Sequence, residues 1–69
     1  MIEVFKTDVQ SVKQSKPLIR KLKSDIPCVC VNFDLEDCDK VLRVEGDGFS
    51  AEAVIKLLHK NGHYCEILD

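Results

Sequence analysis

The sequence predicts an α+β sandwich, in which one four-stranded antiparallel sheet carries two helices on one face. Three observations point there. Apolar residues alternate with period two in four short segments, and they recur with helical period in two others. The segments follow one another as strand, helix, strand, strand, helix, strand.

The first strand is read at 2–7, where Ile2, Glu3, Val4, Phe5 and Lys6 alternate. From Val12 the period changes: Val12, Leu18, Ile19 and Leu22 share one side of a helical wheel, with Lys13, Lys16 and Arg20 off it, which predicts a helix over 12–24. Ser11 followed by Gln14 fits a capping box at its start. Pro17 removes one backbone hydrogen bond and clashes with the preceding turn, so the helix either kinks there or starts late, capped by Ser15 or Lys16. The stretch "SDIP" stops it.

Over 28–35, Val29, Val31, Phe33 and Leu35 form one face of a strand and Cys28, Cys30, Asn32 and Asp34 the other. "EDCDK" is a polar turn, and a third strand over 40–46 continues the apolar face with Leu42 and Val44, opposite Val41, Arg43 and Glu45. "GDG" ends it. Ser50 is a natural N-cap for a second helix over 51–61, Phe49 can staple onto Val54, and Glu52 favours the dipole of the first turn. Ala51, Val54, Ile55 and Leu58 make the buried stripe of that helix, and Gly62 suits the left-handed residue that follows it. The last strand, over 63–68, alternates Cys65 and Ile67 against Tyr64, Glu66 and Leu68.

Two strand–helix–strand crossovers joined by a hairpin give the ferredoxin-like βαββαβ sandwich. Right-handed crossovers place both helices on the same face and leave the other open.

The chain has 69 residues, enough for a single domain over 1–69 with an economical core, since chains of this size bury only about 60% of their unfolded surface. Its 45% hydrophobic and 32% charged content fit a folded domain. A net charge of −2 gives no electrostatic footprint for nucleic acid, and the basic residues between 13 and 23 read as a solvated helix face. "MIEVFK" is not a signal-peptide start and nothing approaches membrane-spanning length, so a cytoplasmic location with reduced thiols is expected.

At this point the residues resemble a known family. "VNFDLEDCDKVLRVEGDGFSAEAVIKLLHKNGHYCEIL" is similar to the second half of the heavy-metal-associated (HMA) domain of copper chaperones and metal-pumping ATPases. "DLE" leading into a turn, the "VEGD" third strand, and a second helix ending in Lys-x-Gly before the last strand carry the resemblance. It implies the ferredoxin-like fold, a strand order of 4-1-3-2, and a Met-x-Cys-x-x-Cys loop for soft cations such as Cu(I) or Zn(II) between the first strand and first helix. Here Val9 takes the methionine position, and Ser11 and Gln14 take those of the two cysteines. A hydroxyl and an amide are hard, neutral donors, so the loop is expected to bind no metal. His63 falls where the family carries a residue close to that loop, and without a thiolate partner it reads as an ordinary surface histidine.

The remaining thiols offer an alternative. Cys28, Cys30 and Cys38 lie within one short stretch, but residues i and i+2 of a strand are roughly 6.6–7 Å apart at Cα, and their parallel side chains suit a disulfide poorly. Cys38 approaches them only if its turn folds back. Cys65 reads as a small buried hydrophobe. His59 and His63 have helical spacing, but Gly62 ends the helix between them.

The open sheet face is the stronger lead. Phe5, Val41, Tyr64, Leu68, Cys28 and Cys30 are placed on it, among Glu3, Arg43, Glu45 and Glu66, as a surface for a protein partner or a homodimer. No nucleophile–base pairing, glycine-rich phosphate loop or paired-carboxylate pattern points to an enzyme. The expected function is thus a non-enzymatic, HMA-like interaction or accessory module with a degenerate metal loop, no cofactor, and no nucleic-acid or membrane partner. The alternative is a copper- or zinc-binding protein or chaperone using Cys28 and Cys30, joined by Cys38.

Overall fold

The computed structural model describes residues 1–68. Its elements are β1 (Ile2–Thr7), α1 (Val12–Asp25), β2 (Val29–Asp34), β3 (Val41–Gly46), α2 (Ala51–Lys60) and β4 (Cys65–Ile67). The strands form one sheet in the order β2-β3-β1-β4, and every neighbouring pair is antiparallel. That is the order expected from the sequence, read from the other edge.

Register decides which side chains share a face, because residues directly opposite each other in a ladder point the same way. Phe33, Leu42, Phe5 and Ile67 form one row across the sheet, and Val31, Val44 and Glu3 form the next. These rows point toward the helices. Phe5, Val9, Leu42 and Val44 pack with Leu18 and Leu22 of α1 and Val54, Leu57 and Leu58 of α2 in one core. The alternate rows, Cys30–Glu45–Ile2 and Asn32–Arg43–Val4, point to the open side.

Phe5 therefore does not lie on the open face. It is fully buried, and Glu3 shares its side of the strand at the half-buried end. The segment "IEVFKT" carries apolar residues on both faces, so alternation alone leaves its facing undecided; pairing with Leu42 decides it. Cys28 departs from expectation too. β2 begins at Val29, and Cys28 precedes it with φ +64°, outside the strand alternation.

α1 starts where the Ser11 cap places it, and Pro17 lies inside the helix, so neither Ser15 nor Lys16 is its cap. Val12, expected on the buried stripe, is 63% exposed, while Ser15 takes an inward position and donates from its hydroxyl to the Val12 carbonyl. Its hydroxyl is satisfied inside the helix, which makes burial of this small polar group inexpensive. α2 buries Leu57 in addition to Val54 and Leu58, and Ala51 and Ile55 are only partly covered.

Candidate functional site

Two regions carry the side chains singled out above: the β1–α1 loop and the open sheet face with its neighbouring thiols. The loop is held from within. Val9 points into the core and is completely buried. The Ser11 hydroxyl accepts from the Gln14 backbone N–H at 3.2 Å, capping α1, while the Gln14 side-chain oxygen accepts from the Gln10 N–H at 2.8 Å. The return bond thus goes to Gln10 rather than to the cap residue itself, a variation on the capping box.

Asp8 ties the loop to the far end of the chain. One carboxylate oxygen accepts from the Tyr64 N–H at 3.0 Å and lies 3.1 Å from His63 Nδ1. His63 is consequently beside the loop, but its ring faces a carboxylate and no thiolate. A soft cation does not fit this donor set: the loop offers a hydroxyl, an amide and a carboxylate, and the first two are already engaged with backbone N–H groups. Asp8 was not singled out in the sequence, because its partners lie more than fifty positions away.

All four cysteines are free thiols; Cys28, Cys30 and Cys38 are exposed and Cys65 is buried. Burial, reinforced by the nearby Glu66 carboxylate, pushes the Cys65 thiol up to about 12, so it stays protonated and unreactive. Cys38 sits in the β2–β3 turn with Asp37 and Asp39, their potential ligand atoms within 4.8 Å of one another. Among the described residues, Cys28 and Cys30 belong to no such grouping of three. The Asp37 carboxylate accepts from the Asp39 N–H at 2.8 Å, so this turn has a structural use for one of its acids.

On the open face, Val4, Val41 and Leu68 are half-buried, and Ile2 and Tyr64 are close to half exposed. Charged side chains ring them, with Arg43 beside Glu45 and Lys6 beside Asp39, each pair 3.7 Å apart. Hydrogen bonding to the Glu66 carboxylate is the main cause that raises the Tyr64 hydroxyl above its ordinary range. Behind the sheet edge, a groove of about 450 Å³ runs between α1 and β2, lined by Val12, Ser15, Ile19, Val31, Phe33 and Leu35. No local pattern in the chain announces this groove, since it depends on how far α1 overhangs β2.

Neither a scan against protein-family models nor a search of curated proteins returned a match for this chain. No helix among the described residues is long and apolar enough to cross a membrane.

Proposed function

We propose that this chain is an HMA-like module of the ferredoxin-like class that does not bind metal in its β1–α1 loop and acts as a non-enzymatic protein-interaction domain. The observation that supports this reading is the loop itself, where the cysteine positions of the resemblance hold Ser11 and Gln14, both engaged in capping. The open face then supplies the contact surface, with Val4, Val41 and Leu68 as its apolar strip and Tyr64 at its margin. Phe5 has no part in it. Four reduced thiols suit a reducing compartment such as the cytoplasm.

Two measurements test the proposal. In the first, Cu(I) is titrated under reducing conditions into the chain with Cys28, Cys30 and Cys38 replaced by serine. No tight stoichiometric binding is expected, and tight binding would return the loop to the list of metal sites. If the unmodified chain binds tightly and the serine variant does not, the exposed thiols are the site and the soft-metal alternative holds. In the second, partners captured by the unmodified chain are compared with those captured by Val41→Glu. Partners that bind both equally well would argue against the open face.

A further inference from the structure

The two edges of the sheet differ in kind. β4 is three residues long, and very short edge strands are one way a sheet avoids pairing with strangers. β2 is six residues long, and from Val29 to Phe33 it carries no charge and no proline. Over those five residues its outer ladder lacks the charge and the proline that commonly guard an edge against strand addition.

We propose that a second copy of this chain pairs antiparallel with β2, about a two-fold axis at Asn32, joining the two sheets into one.

Three observations select a second copy as the occupant and fix its register. A two-fold at Asn32 sets Val31 opposite Phe33 of the partner copy and Val29 opposite Leu35 of the partner copy, so the apolar residues of the groove side all find apolar partners. A two-fold at Val31 would leave Leu35 opposite Pro27 of the other copy. On the open side, the Asn32 register brings the two uncharged Asn32 side chains together and places Cys30 against Asp34.

Charge runs the same way. Glu36 lines the groove at the C-terminal end of β2, and Asp34 borders it from the open side of the edge. On α1, exposed Lys16 and Lys23 each follow a groove residue, Val12 and Ile19, by four positions, which sets them at the exposed margin of the side facing the β2 edge. Lys21 points the other way, to Asn61 beyond α2. Because α1 and β2 run in opposite directions, Lys23 lies toward the start of β2 and the acids toward its end. An antiparallel copy brings the acidic end of one edge to the lysine end of the other, and parallel pairing would not.

The test uses the full chain under reductant, with mass followed by sedimentation over a concentration series. The expected result is a weight-average mass rising toward twice the 7.8 kDa of one chain. Asn32→Asp and Asn32→Lys, at an exposed position, should each weaken self-association several-fold by placing like charges opposite one another. Mixing the two variants should restore it, because unlike charges then meet at the axis. A chain that stays monomeric overturns the proposal, whether or not an extended peptide takes the edge. So does a dimer that both substitutions leave intact, or a mixture that stays as weak as its components. Leu68→Glu, on the open face at the opposite edge of the sheet, separates this surface from that face: it should leave the edge dimer unchanged, and a dimer lost only in that variant would overturn the edge while favouring the face.

Discussion

The Thr7 hydroxyl donates a 2.6 Å hydrogen bond to the carbonyl of Lys40, thirty-three positions along the chain. Lys40 is held at φ +46°, and the same Thr7 oxygen accepts from the Val9 N–H at 3.2 Å. One buried hydroxyl thus joins the end of β1, the entry to the loop, and the turn between β2 and β3.

Thr7→Val keeps the shape and removes both bonds. It should cost roughly 1–3 kcal/mol, the range for leaving a buried polar group without its partner. Thr7→Ser should cost less. Urea denaturation measures both, and equal stability of the valine variant and the unmodified chain would refute the hub.

Gly46 faces Val29 across the β2–β3 ladder, and a Cβ there would lie 2.7 Å from Val29 Cγ1 and 3.1 Å from the Cys28 carbonyl oxygen. Gly46→Ala should therefore destabilise by about 1–3 kcal/mol through overpacking. Trimming Val29 to alanine in the same chain should recover part of that loss. If the double substitution loses as much stability as the two singles added together, or more, the clash lies elsewhere.

The facing of β1 and α1 predicts an unequal pair of truncations. Phe5→Ala should cost about 3–5 kcal/mol, since the ring is fully buried. Val12→Ala should change stability by no more than about 0.5 kcal/mol, as for an ordinary surface site. Comparable losses from the two would mean that the strand or the helix is rotated.

Brief alkylation of the folded, reduced chain should label Cys28, Cys30 and Cys38 well before Cys65, read by peptide mapping. The raised Cys65 thiol also has a pH consequence. Above about pH 9 an unfolded thiol loses its proton while the native one, at about 12, keeps it. The native state then binds more protons, so stability falls as pH rises from 9 toward 12 and is unaffected below that window. Cys65→Ala should flatten this part of the pH–stability curve, and an unchanged slope would assign the fall to other groups.

Much of the fold was legible because each element states its own period. Val29 through Leu35 alternate, and the inward-pointing Leu42 and Val44 fix which face they share. β1 was harder, because Phe5 and Val4 are adjacent apolar residues and only the Leu42 partnership says which of them turns inward. Val12 looked buried from its place on the wheel, yet it sits at the first turn, beyond the reach of the core. In the loop, the Ser11 cap was visible because it spans three residues. The Asp8 contacts and the Thr7 hub were not, since their partners are distant in the chain and polar side chains give no periodic signal.

The position of β3 between β2 and β1 also governs how the sheet can assemble. β1 and β2 lie on either side of α1 in the chain, yet they are never ladder partners, so the first crossover cannot close without Val41–Gly46. Without it Phe5, Val31 and Phe33 lack the Leu42 and Val44 neighbours that cover them. β3 alone pairs with both, so bringing Val41–Gly46 between them closes the two longest ladders of the sheet together.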